Sequence, residues 1–384
     1  MDHPLDSSAA WKVRSFLPWL LFLGMMSVGC GDDLSLELIE DTGPQVDPIH
    51  VTDPLRQCGM PSLARLQVVG NQLRVACHGQ LVPVRLKGIN RSGLQHKRGL
   101  QQAGFGSDPT PELRAWREQW QAVIIRLPIA QNYYLDSDSY RQDLAAVIAA
   151  AKSLGIYLLL ELHGYDEHNL NPPQPDPVST PLFWRQVAQR FGGETHVLFD
   201  LWNEPHDVAW STWKQNAERI IQAIRAEGAS ETVVVVGGLD YAYDLQPLLD
   251  PQNRITGLGP ILYATHPYPL KTLPPAMAPE WDRKFGQVAQ LLPVIIGEYG
   301  VDDSRESGFG LGSTEAARLW LAQLHRYLDR RQLSALAWSG GDMPHLTLGQ
   351  NGGGVILPTN PPNPSQPTEP FGSDVRAWMS KPTP

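Results

Sequence analysis

The sequence predicts an α/β chain folded as a (β/α)8 TIM barrel, preceded by a short N-terminal β-hairpin. Apolar runs at 82–90, 123–129, 157–163, 197–204, 232–238, 261–268, 293–299 and 335–338 read as eight buried strands. Amphipathic stretches at 139–154, 181–191, 211–227 and 313–331 read as helices between them, with a last one at 373–380. Such alternation implies parallel βα units. The segments after strands five and six carry the weakest helical pattern. A doubly wound open sheet is the competing fold. It lacks support because no strand leads into a glycine-rich phosphate turn: Gly237-Gly238-Leu239-Asp240 is not a G-x-G-x-x-G.

The chain ahead of the barrel divides into three parts. Lys12 and Arg14 precede an apolar run at 16–26 and then Ser27-Val28-Gly29-Cys30, so residues 1–29 read as a secretory signal. The cysteine after Gly29 resembles a bacterial lipoprotein cleavage box, which implies lipidation of Cys30. Ser27 departs from the aliphatic residue expected there, and ordinary secretion is the alternative. Residues 30–54 are acidic and proline-containing without periodicity, and read as a flexible tether. The remaining 55–384 read as one domain that includes the hairpin at 65–77, which turns at Gly70-Asn71. In an exported chain Cys58 and Cys77, flanking that hairpin, read as a disulfide rather than a metal site.

Of 384 residues 42% are hydrophobic and 18% charged, enough for a single barrel-sized core. The formal net charge of −9 argues against nucleic acid as a partner. No run of 18 apolar residues exists, so a lipid on Cys30 is the expected route to a membrane. Long segments follow three strands, at 91–110, 164–180 and 340–370, the last containing the proline-rich 358–364. In a barrel all three lie on the C-terminal face, where active sites are built.

Six strands end in a polar or aromatic residue that this face would gather. They supply Arg126, His163, the pair Asn203-Glu204 before Pro205, His266 with Tyr268, Glu298 and Trp338. Glu204 and Glu298 end strands on opposite sides of a closed barrel. Two carboxyls facing each other suit glycoside hydrolysis: one protonates the leaving oxygen, the other meets the developing oxocarbenium carbon or activates a water. Glu161 and Asp200 share strand parity with these residues and read as partners of Arg126. His206 reads as a loop residue, and Trp184 and Trp202 as packing. Tyr241 and Tyr243 fit either the cleft or its loop.

From Leu81 to Lys381 the chain resembles glycoside hydrolase family 5, the cellulase family of a retaining clan. Arg126, His163, Asn203, Glu204, His266, Tyr268, Glu298 and Trp338 match its site in order. The resemblance implies Glu204 as acid/base and Glu298 as nucleophile, with Asn203 on the sugar 2-hydroxyl. Arg126 and Tyr268 would orient Glu298, while His163, His266 and Trp338 would line the subsite of the attacked sugar. The expected activity is internal cleavage of a β-1,4-linked polysaccharide, first of all β-glucan, by an exported monomer without metal or cofactor. β-Mannan or another β-glycan is the alternative substrate, and a non-catalytic glycan-binding lipoprotein the alternative class. A metal-dependent hydrolase would need a His-x-His pair on an early strand, which the sequence lacks.

Overall fold

The computed structural model describes residues 46–273, 277–302, 310–341, 344–349 and 362–381. The expected leader, Cys30, most of the tether and residues 358–361 lie outside the described residues. Among the described residues no helix is long and apolar enough to cross a membrane.

An antiparallel sheet comes first: β1 (Gln67–Val69), β2 (Gln72–Cys77) and β3 (Gln80–Pro83). Its first turn falls at Gly70-Asn71 as expected, with Gly70 at φ +61°. Cys58 and Cys77 are bonded, with Cα atoms 5.0 Å apart. The barrel strands follow: β4 (Lys87–Asn90), β5 (Ile124–Ala130), β6 (Tyr157–Asp166), then, past the short β7 (Asn169–Leu170), β8 (Val197–Asp200), β9 (Val234–Gly237), β10 (Ile261–Thr265), β11 (Val294–Ile296) and β12 (Ser334–Ala337). Each pairs in parallel with the next, and β12 pairs back onto β4, so the sheet closes.

The helices have local causes. Asp138–Leu154 starts where the Ser137 hydroxyl accepts from the Tyr140 amide and stops at Gly155 in the left-handed region. Thr314–Arg330 is capped by Ser313 and buries Ala317, Trp320, Leu321, Leu324 and Leu328, the spacing of one helix face. Ser179–Phe191 and Trp210–Ala226 bury comparable stripes.

Alternation along the strands sorts the core. Outward residues such as Ile125, Leu158, Phe199, Val236 and Ile296 pack under the helices. Inward residues at the strand starts (Ile124, Leu159, Leu198, Val235, Leu262, Ile295) form a second apolar cluster with Leu66, Leu73 and Val75. The N-terminal sheet therefore plugs the barrel floor.

Four expectations are corrected. The run 82–90 is not one strand: β3 stays antiparallel in the floor sheet, and the barrel strand begins only at Lys87. The tether does not reach Pro54. Ile49 is buried, its amide donates to Gln332 Oε1, and Val51 bridges Val84, because this segment covers apolar surface beneath the barrel. After β9 the described chain forms two 3-10 turns, Gln246–Leu249 and Pro251–Asn253, instead of an α-helix, since Pro247 and Pro251 interrupt it. Finally, the segment after β12 is not all loop: β13 (Thr347–Gly349) pairs with β14 (Pro362–Pro367).

Candidate active site

The site is organised around a buried cation. Arg126 projects inward from β5 and is completely buried. Its Nε donates to Asp200 Oδ2 at 2.8 Å, Nη1 donates to Asn90 Oδ1 at 3.0 Å and to Glu298 Oε1 at 2.5 Å, and Nη2 donates to Asn203 Oδ1 at 3.1 Å. Glu161 Oε1 lies 3.5 Å from Nη2. Burial opposes this charge, but Glu161, Asp200 and Glu298 outweigh burial and raise the pKa further. Glu161 and Asp200 thus serve Arg126, as their strand parity suggested. Asn90, unassigned in the sequence reading, holds the same guanidinium and ends β4 just as the other site residues end theirs.

Glu298 follows β11 and keeps 5% of its side chain exposed. Besides Arg126, it accepts from the Tyr268 hydroxyl at 2.9 Å on Oε2. Burial, then Glu298 itself, raise the Tyr268 pKa well above 10, so the phenol keeps the proton it donates.

Glu204 sits at the turn after β8, at φ +47°, where a non-glycine residue is strained. Asn203 is still tied to the sheet through its amide to Leu162 O at 2.9 Å. His206, read as a loop residue, is buried. Its Nδ1 donates to Glu204 O at 2.9 Å and its ring stacks on Tyr241 with centroids 4.1 Å apart. The Glu204 carboxyl meets His266 Nδ1 at 3.0 Å on Oε1 and accepts from Asn171 Nδ2 at 3.3 Å on Oε2. Burial raises its pKa to about 7, so it is mostly protonated in mildly acidic solution. Burial also lowers His266 to about 4, which leaves that ring neutral beside it. Gly297 makes room for this ring, since a Cβ there would lie 2.6 Å from His266 Nε2.

The reactive atoms of Glu204, His266 and Glu298 all lie within 4.8 Å of one another. Such a trio could also hold a cation, but Arg126 and Tyr268 already occupy Glu298. With one oxygen of each carboxyl inside 4.8 Å, the pair suits the closer arrangement of nucleophilic attack, about 5–5.5 Å, better than the wider inverting arrangement of about 6.5–9.5 Å. His163 completes the wall: its Nδ1 lies 3.0 Å from Glu161 Oε2 and its ring stacks on Trp338, with centroids 5.6 Å apart and planes within 14°. Burial disfavours charge on His163, yet Glu161 and Glu298 outweigh it and raise its pKa.

All eight residues expected at the site thus converge. Seven of them, with Asn171, Tyr241 and Lys271, line a cleft of about 470 Å³, and Arg126 lies beneath it. Tyr241 stands at the cleft, partly exposed, whereas Tyr243 is buried and bonded to Thr272 Oγ1. Trp184 and Trp202 are buried packing residues. Asn171, inside the long segment after β6, gave no sequence signal beyond preceding Pro172-Pro173.

The profile of the family described as Cellulase (glycosyl hydrolase family 5) matches residues 82–343. Among curated relatives, Endoglucanase E-5 of Thermobifida fusca is 26% identical over 321 residues, 78% of this chain and 61% of its own length. Endoglucanase MaCel5A of Microbulbifer sp. is 29% identical over 214 residues, 53% of this chain and 39% of its own. The chain therefore spans only part of the relatives it matches. Among solved structures, a β-glucanase from Saccharophagus degradans in complex with cellotetraose superposes with a TM-score of 0.65 at 22% identity, covering 87% of this chain and 97% of that one. The catalytic domain of Thermobifida fusca endoglucanase Cel5A, also with cellotetraose, gives 0.63 at 22% identity, covering 86% and 100%. These likenesses establish the barrel, and the profile match over most of the chain establishes the family: the chain belongs to glycoside hydrolase family 5.

Proposed function

We propose that the protein is a retaining endo-β-1,4-glucanase that works by double displacement. The observation that carries this reading is the approach of the Glu204 and Glu298 carboxyls to within 4.8 Å. Glu298 attacks the anomeric carbon while Glu204 gives its proton to the departing glycosidic oxygen, leaving a glycosyl ester on Glu298. Glu204, now a carboxylate, takes a proton from water as that water attacks the same carbon and releases Glu298. Arg126 and Tyr268 hold Glu298 aimed; Asn203 is placed for the sugar 2-hydroxyl; Trp338 offers a face to a pyranose ring, with His163 stacked behind it. β-Glucan is favoured as the substrate because the relatives are named endoglucanases and the two neighbouring structures hold cellotetraose.

The proposed place of action is outside the cytoplasm, with the chain held at the bacterial surface through a lipid on Cys30 or, failing that, secreted. The Cys58–Cys77 bond supports an oxidising compartment. Reducing-end release from soluble cellulose derivatives, mixed-linkage glucan and mannan tests the function. Glucan cleavage that disappears in Glu298→Gln is expected. Cleavage of mannan alone would replace the substrate, and no cleavage of any β-glycan would overturn the reading.

A further inference from the structure

We propose that Asn171 is a positioning residue for the acid/base Glu204, the last link of an oriented hydrogen-bond chain that begins at Arg126. The proposal rests on Glu204 being the proton donor. Three bonds make the chain: Arg126 Nη2 donates to Asn203 Oδ1 at 3.1 Å, Asn203 Nδ2 to Asn171 Oδ1 at 3.4 Å, and Asn171 Nδ2 to Glu204 Oε2 at 3.3 Å. Its direction is fixed at the start. A guanidinium has only donors, so the Asn203 oxygen must face Arg126 and its NH2 must face Asn171. The Asn171 oxygen then accepts, which leaves its NH2 for Glu204.

The fold delivers Asn171 to this place deliberately. Gly164, at φ +152°, lets the β6–β7 hairpin double back; a Cβ there would lie 2.6 Å from Asn169 O. The Asn171 amide then donates to His163 O at 3.0 Å. Beyond it, Trp202 Nε1 donates to Pro172 O and the His206 amide to Pro173 O, both at 3.1 Å. Asn171 itself is at φ +54°, a conformation asparagine tolerates better than most residues.

The chain has a use in the reaction. In the first step Glu298 loses its negative charge to the ester and Glu204 gains one. Arg126 touches both ends, Glu298 directly and Glu204 through the two amides. As the charge moves, a donor polarised by the same cation already points at the new carboxylate. Asn171 therefore favours proton donation by Glu204, because it stabilises the carboxylate that forms.

Two variants test this. Asn171→Gly keeps the left-handed backbone and removes the side chain; Asn171→Asp keeps the shape but replaces the donor by a second carboxylate, so its effect should be the larger. A hydrogen bond to an ionised group, at the weak end of its range, corresponds to about one pH unit. Both variants should move the basic limb of kcat/KM upward, Asn171→Gly by about that much, and slow turnover of glucan, whose leaving oxygen needs the Glu204 proton, by up to about tenfold, while an aryl cellobioside with an activated leaving group is slowed far less. A 13C titration of the Glu204 carboxyl, assigned with Glu204→Gln, should show the same upward shift without any turnover. An unmoved titration midpoint in both variants overturns the proposal, as does a loss of rate with an unmoved pH limb. Silence of the wild-type protein on glucan, with the midpoint still displaced, would refute the glucanase reading and leave this one standing.

Discussion

The floor and the mouth of the barrel are made by the same strands, one or two side chains apart. Ile124, Leu159, Leu198, Ala264 and Leu336 face inward at the floor and are buried in apolar contact. Two residues further along come Arg126, Glu161, Asp200, His266 and Trp338. The floor is closed by a disulfide-tied sheet and satisfies ordinary rules of burial. The mouth gathers buried charge, a raised carboxyl pKa and strained backbone: Glu204, Asn171 and the consecutive Asp240, Tyr241 and Ala242 all have positive φ. Strain of this kind costs about 1–3 kcal/mol per residue. The comparison teaches that the floor supplies the stability which allows the mouth to be poised for chemistry.

The largest effect should come from the mouth. Glu298→Ala should lower kcat by several orders of magnitude on every substrate, because no glycosyl ester can form. Steady-state kinetics on soluble glucan and on an aryl cellobioside check this. Next, Glu204→Ala should cost about 10²–10⁴-fold on glucan and far less for glycosylation by a substrate whose leaving group needs no proton. Equal losses on both would contradict its role. In the wild type, kcat/KM should fall as pH rises through about 7, as Glu204 loses its proton.

Changes at the floor should touch stability and leave chemistry alone. Replacing Cys58 and Cys77 together by serine opens a loop spanning 19 residues and should cost about 3 kcal/mol in denaturant titration, with kcat unchanged. A fall in kcat as large as the fall in stability would show that the two ends are not separable.

A pH-dependent effect on stability sharpens the contrast from the other side. Glu204 has a folded pKa of about 7 against 4.5 unperturbed. Between these values the folded state binds more protons than the unfolded one, so stability falls as pH rises and stays lowered above 7. Glu204→Gln mimics the protonated form and should be more stable than the wild type by up to about 3 kcal/mol at pH 8, with little difference at pH 4. An equal difference at both pH values would mean that the carboxyl is not held in a destabilised state.

The mouth was legible in the sequence wherever a single polar residue closed an apolar run, because the C-terminal ends of barrel strands all deliver such residues to one face. That is why Arg126, Glu204 and Glu298 could be named, and why Glu161 and Asp200 could be placed beneath them. Asn171 was not legible: its position depends on a hairpin inside a long segment, a glycine conformation and two proline carbonyls held by the Trp202 side chain and the His206 backbone amide. His206 lies in a loop as read, but its contacts were hidden for the same reason, since only the folded turn brings its ring to Tyr241 and its nitrogen to the Glu204 carbonyl. At the floor, the hairpin and its cysteines could be read locally. The docking of residues 46–54 could not, because Ile49 and Val51 find their partners only after the barrel closes.

The most direct test of the central claim is mass spectrometry of the protein after incubation with a 2-deoxy-2-fluoro cellobioside bearing an activated leaving group. If Glu204 and Glu298 converge on one anomeric carbon, a stable glycosyl adduct should appear on the peptide carrying Glu298 and be absent from Glu298→Gln. An adduct on another residue, or none while the protein hydrolyses glucan with inversion, would contradict it.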